Sequence, residues 1–473
     1  MVPCQIEKRT FKDFSFTIKF MALRLCPFLM MLCVGMIETP VEAKTYFVNM
    51  SNGNDRNSGL SKDSAFKTIT KAVSILVAGD SCLVQTGQYP ERVEVRQSGR
   101  LNQPIVIKAD GAVTVRGFNV NGSYIHIIGF EITNTIFDAQ NGTGIFLEAS
   151  FCQIENNYIH DVPRIGIYIN AEPGDSPNIA NNTVRGNRIY RAATAGIFVA
   201  GRNHLIESND ISRTIQYPPG WRNPPGSPDA DGIRFFGAGH IIRRNFIHDI
   251  WLSDPENIDP HIDCFQTWGP ARDIIFEQNF GINRNDGMQG FMISDANGTV
   301  SNLTITNNVI IAFRIVNAHN CKGITIVHNT FKSELNFKSE SGYGIELHHT
   351  TKARIENNLF YDIGQHQYSY LWKDAGSESG LRVGYNAIFM SDGRPPAGTA
   401  SSHDIWQLDP KLIDPNQYNF RPRPSSPLID SASASNIFYD FDGIPRPQGS
   451  GFDIGAFEYD PIDAPTNVRV RGL

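Results

Sequence analysis

The stretch Ile154-Glu155-Asn156-Asn157-Tyr158-Ile159 is the first copy of a phrase, apolar-x-x-Asn-x-apolar, that decides how this 473-residue chain folds. The phrase returns around Asn187, Asn209, Asn245, Asn279, Asn308, Asn329 and Asn358, at separations of 30, 22, 36, 34, 29, 21 and 29 residues. Recurrence at a period of about 20–50 residues marks a solenoid, in which each unit buries its apolar side only against its neighbours. The separations of 21 and 22 approximate one coil, and the longer ones a coil carrying an inserted loop.

A second phrase accompanies the first: Gly144-Ile145-Phe146-Leu147, Gly166-Ile167-Tyr168-Ile169, Gly196-Ile197-Phe198-Val199, Gly232-Ile233-Arg234-Phe235, Gly290-Phe291-Met292-Ile293 and Gly344-Ile345-Glu346-Leu347. Short β-branched and aromatic runs bounded by Gly and polar turns are strands. Two such strands per coil give stacked parallel sheets with an aliphatic ladder inside. Asn at the turn suits a left-handed residue, and stacked Asn side chains can satisfy one another's amides. The expected fold is an all-β, right-handed parallel β-helix. A leucine-rich-repeat horseshoe competes, but Leu is not the periodic residue and no helical pattern alternates with the strands.

An uncovered strand edge templates aggregation, so the end of such a core needs a lid. Residues 65–78 read as a short amphipathic helix with Phe66, Ile69, Ala72, Val73 and Leu76 on one face. The expected layout is an N-terminal extension and signal peptide over 1–43, a cap with the first coils over 44–110, the repeats over 111–400, and an irregular segment packed on the solenoid over 401–473. Within the first part, Met21 and Arg24 precede an apolar run from Leu25 to Ile37, and small residues at Val41 and Ala43 suit signal peptidase. Residues 21–43 therefore read as an export signal with Met21 as the start, and the run is shorter than a membrane span. The expected location is secreted or periplasmic, and the expected state a monomer.

Composition narrows the partners. Hydrophobic residues make up 41% and charged residues 19%, which suits a folded, strand-rich chain rather than a disordered one. A formal net charge of -6 without a Lys/Arg block argues against nucleic acid. Cys82, Cys152, Cys264 and Cys321 lie far apart without paired spacing, so they read as buried small hydrophobes rather than zinc ligands.

Thr45-Tyr46-Phe47-Val48, Asn52-Gly53-Asn54-Asp55, Phe66-Lys67-Thr68-Ile69, Lys71-Ala72-Val73, Gly79-Asp80 and Gly87-Gln88-Tyr89-Pro90-Glu91-Arg92 resemble the N-terminal region of secreted parallel β-helix proteins related to family 9 polysaccharide lyases. Ser426-Pro427-Leu428-Ile429-Asp430, Asp440-Phe441-Asp442-Gly443 and Asp453-Ile454-Gly455-Ala456-Phe457-Glu458 resemble the closing segment of such exported proteins. The resemblance implies a β-helix and a glycan substrate. Function stays open on it, because the architecture hosts lyases, epimerases, hydrolases and adhesins. Family 9 lyases are thought to use a Lys base with calcium on acidic residues, and no Lys lies between Lys108 and Lys322.

Chemistry concentrates where the strand phrase breaks. Aligned on the Gly, Asp263-Cys264-Phe265-Gln266 replaces Asp231-Gly232-Ile233-Arg234, with Cys264 at the Gly position. In this register Asp231 and Asp263 stack, Asp229 stands beside His261, Arg234 beside Gln266, and Gln289 follows Asp263. Thr143, Ile165 and Ala195 hold the same column in earlier coils. Stacked carboxylates about 4.8 Å apart are costly unless protonated, metal-bound or hydrogen-bonded, so this is the candidate site. Either Asp alone reads more simply as a turn cap.

Asp259-Pro260-His261 resembles the Asp-Pro-His motif of alginate C5-epimerases, although Asn257-Ile258 stands where that family has a Tyr. The resemblance implies an electrostatic or carboxylate-binding role for Asp259 and the role of base for His261. The expected reaction removes the C5 proton of a uronate whose carboxylate is neutralised by Arg234 or a cation, giving a lyase or an epimerase on an acidic polysaccharide. Gln266, Gln289 and Trp268 are expected substrate contacts. Trp221 and Arg222 join them from the Pro-rich insertion 217–228, which otherwise reads as a surface loop ordered by Trp221 packing. Calcium is expected on Asp229, Asp231 and Asp263, with Asp259 and Asp286 as further oxygen donors. Two readings compete: a glycoside hydrolase with Asp231 and Asp263 as its pair, and a glycan-binding or adhesion protein without catalysis. His240, His248 and the pair His348-His349 read as structural histidines.

Overall fold

The computed structural model describes residues 42–135, 142–171, 176–216, 229–255, 260–282, 289–295, 297–333, 343–363 and 370–461. Residues 21–41 of the expected export signal, and Trp221, Arg222, Asp259 and Asp286, lie outside the described residues.

The chain coils into a parallel β-helix in which each turn lays one strand on each of three walls, one more than the two expected. After Thr194–Val199, for example, come Leu205–Glu207 and Asp210–Ser212, each paired in parallel with its counterpart one coil on. Many strands on the second and third walls are three residues long, too short to show period-two alternation, and the sequence phrase merged the two walls around one Asn.

The first wall bears the Gly-Ile strands: β1 (Ile145–Leu147), β2 (Ile167–Ile169), β3 (Thr194–Val199), β4 (Ala230–Phe235), β5 (Asp263–Thr267), β6 (Gln289–Ser294), β7 (Arg314–His319), β8 (Tyr343–His348) and β9 (Leu371–Lys373). Its inner face is a continuous ladder in register, Ile145, Ile167, Ile197, Ile233, Phe265, Phe291, Val316 and Ile345, all fully buried. Each such side chain contributes about 1.5–3 kcal/mol of burial, so the repeat itself is the core.

The Gly of each strand is required by close approach. A Cβ on Gly232 would lie 2.7 Å from the Cys264 carbonyl oxygen and 2.7 Å from Ile247 Cγ2 on the third wall. At the next coil Cys264 stands in the Gly position, and the third wall answers with Gly281 where Ile247 stood. A Cβ on Gly281 would come 2.8 Å from the Cys264 sulfur, so the thiol occupies the space an Ile would fill. All four described cysteines are buried free thiols.

The Asn repeat forms a buried amide ladder. Asn187 Nδ2 donates to Asn209 Oδ1 at 3.0 Å, Asn209 to Asn245 at 2.9 Å, Asn245 to Asn279 at 3.0 Å and Asn279 to Asn308 at 2.9 Å. The left-handed residue is the one before each ladder Asn: φ is 56° at Ser208, 55° at Arg244 and 56° at Gln278. A left-handed L residue costs about 1–2 kcal/mol, and the ladder bonds offset this cost at every turn.

The lid is smaller than expected. Helix α1 spans only Ile69–Val73, with the Thr68 side chain accepting from the Lys71 N–H and Glu91 from the N–H groups of Ile69 and Thr70. The five apolar side chains of the expected face are nonetheless all buried. At the other end, Leu428, Ile454, Ala456 and Phe457 pack on third-wall residues Phe280, Ile282, Val309 and Leu359. No helix among the described residues is long and apolar enough to cross a membrane.

Candidate active site

The outward face of the first wall changes character along the solenoid. Below the site it carries rings, with centroids of Phe146 and Tyr168 5.4 Å apart, Tyr168 and Phe198 4.6 Å, and Phe198 and Phe236 4.9 Å. At β4 and β5 the outward column turns to Arg234 and Gln266, which pair directly. The register also sets Asp229 against His261, and Asp263 against Gln289, while Ala195 precedes Asp231 in its column. The alignment on the Gly therefore predicts the pairing of the backbone correctly.

Arg234 holds two carboxylates, donating from Nε to Asp231 Oδ2 at 2.7 Å and from Nη2 to Asp229 Oδ2 at 2.7 Å. Among the described residues Nη1 has no acceptor, and the guanidinium carbon lies 5.3 Å from the Trp268 ring centre. Asp231 Oδ1 accepts the Asp263 N–H at 3.0 Å, tying the two coils together. Asp263 Oδ2 lies 2.8 Å from His261 Nδ1 and accepts from Gln266 Nε2 at 2.9 Å, whereas its Oδ1 is buried without a hydrogen bond. Gln289 Nε2 lies 3.0 Å from His261 Nε2.

Exposure divides the cluster. The side chains of Asp231 and Asp263 are 0% exposed, Arg234 is 10% and His261 38%. Burial pushes the Asp231 carboxyl well above the usual carboxylate range; Arg234 opposes, and the Asp263 and Asp229 charges add to it. Burial likewise raises Asp263, with His261 opposing. The hydrogen bond to Asp263 is the main cause that lifts the His261 imidazole to about 9; burial opposes it, and the charges of Asp263, Asp231 and Asp229 add. The imidazole is thus the exposed group of the cluster, Arg234 and Asp229 are each only about a tenth exposed, and the Asp231 and Asp263 carboxyls lie beneath.

One donor atom each from Asp231, His261 and Asp263 lie within 4.8 Å of one another, close enough for one cation. Calcium, however, takes six to eight oxygens. Of the four oxygens of Asp231 and Asp263, three already accept from Arg234, His261, Gln266 or a backbone N–H. With a guanidinium fixed between Asp229 and Asp231, the expected calcium set does not fit a hard-cation cage, and no step below is routed through one.

Sequence reasoning missed the continuation of this face. Asn317 and Glu346 follow Gln266 and Met292 in the outward column, and Arg314 follows Gln289. Arg314 Nε lies 2.8 Å from Glu346 Oε1, and His319 stacks on His348 with centroids 4.1 Å apart and planes 2° from parallel. The signal was present, but Ile315 stands where the phrase has Gly, which hid β7 from the alignment. His348 lies on this face and not in the core. His240 is structural as expected: it is buried, with Nδ1 accepting the His204 N–H and Nε2 2.7 Å from the Phe236 carbonyl oxygen. Two cavities, of about 440 and 300 Å³, lie between the Asn-ladder corner and the C-terminal segment and share no residue with the cluster.

Fold and register together define a right-handed parallel β-helix with one polar break in its first wall. Residues 174–370 match the family described as "Right handed beta helix region". Among solved structures, the chain is similar to pectate lyase Pel9A, with a TM-score of 0.51 and 18% identity over 89% of this chain and 98% of that one. It is also similar to XylC in complex with xylose, with a TM-score of 0.52 and 14% identity over 87% and 98%. An alginate lyase from Paenibacillus sp. str. FPU-7 aligns at a TM-score of 0.41 and 17% identity over 60% and 95%. At these identities the likeness is one of fold. No curated protein sequence matches the chain.

Proposed function

We propose that this protein is an exported enzyme that removes the C5 proton of a uronate in an acidic polysaccharide, acting as a lyase or a C5-epimerase. The observation that carries this reading is the division of exposure: the Asp231 and Asp263 side chains are 0% exposed beneath Arg234 and His261. A glycan on this face meets the His261 imidazole and the edge of the Arg234 guanidinium, with the Asp229 carboxylate, 13% exposed, beside it. Arg suits a carboxylate partner, and Nη1 of Arg234 has no hydrogen bond to a described residue to give up. Neutralising the uronate carboxylate raises the acidity of C5, and His261 accepts the proton. Trp268, 49% exposed, offers an apolar face to a sugar ring beside it. The carbanion then expels the C4 oxygen, which takes a proton from water, or is itself reprotonated by water on the other face, and His261 returns its proton to solvent.

Asp231 and Asp263 are positioning residues in this scheme: one fixes Arg234, the other orients His261. A glycoside hydrolase would need two carboxyl groups flanking the scissile bond in contact with substrate. Their complete burial favours proton abstraction over that alternative. Export rests on the sequence of residues 21–43 alone.

The test is ultraviolet absorbance while the purified protein is incubated with alginate, pectate, glucuronan or glycosaminoglycans, with and without calcium. A rise signals the C4–C5 double bond of a lyase product and names the substrate. A flat trace with epimerised uronate by NMR leaves an epimerase, and new reducing ends without unsaturation would overturn the proposal in favour of hydrolysis. A glycan that binds unchanged would leave a binding protein.

A further inference from the structure

The left-handed residues that precede each ladder Asn form a column of their own at the corner between the second and third walls, and its upper members hold the C-terminal segment. Gln278 Nε2 donates to the Asp440 carbonyl oxygen at 2.6 Å and Asn307 Nδ2 to that of Tyr439 at 2.6 Å. His328 Nδ1 lies 3.1 Å from the Asp453 carbonyl oxygen, and Asn357 Oδ1 accepts the Ser433 N–H at 2.9 Å. Arg244 is the member one coil before Gln278, and among the described residues it makes no bond to the segment. Its Nε donates to Gln278 Oε1 at 3.0 Å, Nη1 lies 3.9 Å from Glu207 Oε1, and Nη2 has no acceptor among the described residues. The side chain is 52% exposed.

Arg244 lines both cavities beside the segment, those of about 440 and 300 Å³. Phe438 and Tyr439 line the larger one and are 63% and 59% exposed. Their backbone is fixed: the Phe438 carbonyl oxygen accepts the Arg446 N–H at 2.9 Å, and Tyr439 pairs with Pro445 and is held by Asn307. Two exposed rings on a pinned hairpin beside a cavity of ligand size mark a binding surface. The two cavities together are lined by Arg243, Arg244 and Arg421 against Glu277 and Asp442, a local positive balance on a chain of formal net charge -6. Arg421 already grips both oxygens of Asp442 at 2.7 and 2.6 Å, and Arg243 is shared between Glu207 at 2.7 Å and Glu277 at 3.5 Å. Arg244 is therefore the cation with nitrogens to give. A guanidinium fork takes a carboxylate, and ring faces beside it take the C–H face of a pyranose.

We propose that this corner is a second glycan site, without chemistry of its own, in which Arg244 binds a uronate carboxylate and Phe438 and Tyr439 pack against the sugar. It shares no residue with the cluster of Arg234 and His261. The choice of an acidic glycan rests on the function proposed above as well as on Arg244. A polymer that reaches both sites is retained at the second while the first wall works on it, because the second contact is then intramolecular.

The experiment is calorimetric titration of the full chain with size-defined oligosaccharides of alginate, pectate and glucuronan, and with neutral xylo- and cello-oligosaccharides, with amide exchange locating the contact. An acidic oligosaccharide is expected to slow exchange in residues 436–446. Arg244→Gln, and separately the double variant Phe438→Ala with Tyr439→Ala, are each expected to weaken that binding about tenfold or more. Trp268→Ala on the first wall is expected to leave it intact. Arg244→Lys keeps the charge without the fork and serves if Arg244→Gln does not fold. Absence of protection at 436–446 with every acidic probe, protection that persists in the variants, or equal binding of neutral chains overturns the proposal. Turnover of glycan by a wild type that binds nothing here sinks this site alone. Binding here by a protein that turns over no glycan sinks the function proposed above and leaves this site standing.

Discussion

Replacing Asp263 by Asn tests the electrostatic logic of the site directly. His261 titrates at about 9 instead of 6.5 chiefly because Asp263 accepts its Nδ1–H and places a negative charge beside it, while burial works in the opposite direction. Asn keeps the shape and one acceptor but removes the charge, so His261 is expected to titrate at 6.5 or below. At pH 7 the free-base fraction then rises from about 1% to about three quarters, from the two pKa values alone. Histidine-selective NMR reads the titration. The pH profile of kcat/KM reads its consequence: a base with a pKa near 9 gives a rate that climbs about tenfold per pH unit up to 9, and in the variant that limb moves down by about two and a half pH units or more. A His261 titration still near 9 in Asp263→Asn would refute the account of its pKa. A rate that falls through pH 9 in the wild type would refute His261 as base and make the imidazolium the working form.

Further outcomes follow from the packing. Arg234→Met leaves Asp231 buried beside Asp229 without its cation, and unfolding titrations should show a loss of about 3–5 kcal/mol; adding Asp231→Ala, the residue type of Ala195 one coil earlier, should recover most of it. Gly281→Ile crowds the Cys264 thiol and should cost about 1–3 kcal/mol, and the double change with Cys264→Gly should be better tolerated than either alone, a coupling that denaturant midpoints detect. Burial, then the charge of Glu458, pushes the Asp453 carboxyl up to about 7. The native state therefore holds that proton to higher pH than the unfolded chain, so its contribution is complete below about 4 and is lost as pH rises through 7; amide exchange in residues 426–458 should quicken across that window, and less so in Asp453→Asn.

The parallel β-helix was legible because its core is written in residue type: the Ile ladder and the Asn ladder each demand the same residue at each coil. The candidate site was legible for the complementary reason, since Asp231 and Asp263 interrupt a column that holds Thr143, Ile165 and Ala195. Two things escaped. The number of walls was hidden because three-residue strands carry no periodicity. The face beyond Gln289 was hidden because Ile315 replaces the Gly that anchored the register, so Asn317 and His319 never aligned with Arg234 and Gln266. What no sequence pattern could supply is depth: Asp231 and Asp263 are chemically equal to Asp229 in the sequence, and only the coil geometry buries the first two.

That depth links the stability of the site to its chemistry. Two carboxylates one coil apart in a dry column would be intolerable alone, and the coil supplies a guanidinium and an imidazole from the flanking columns to neutralise them. The same pairing that makes the acids tolerable raises the basicity of His261 and aims Arg234. The hydrolase alternative would need one of these acids to leave its partner and reach solvent, stranding the other charge in the wall at a cost of several kcal/mol. Proton abstraction asks for no such movement, since the imidazole already lies at the surface and, among the described residues, only the amide of Gln289 stands on its Nε2. A substrate that displaces that amide exposes the base, so the residue that holds His261 at rest is also the one whose displacement would start the reaction.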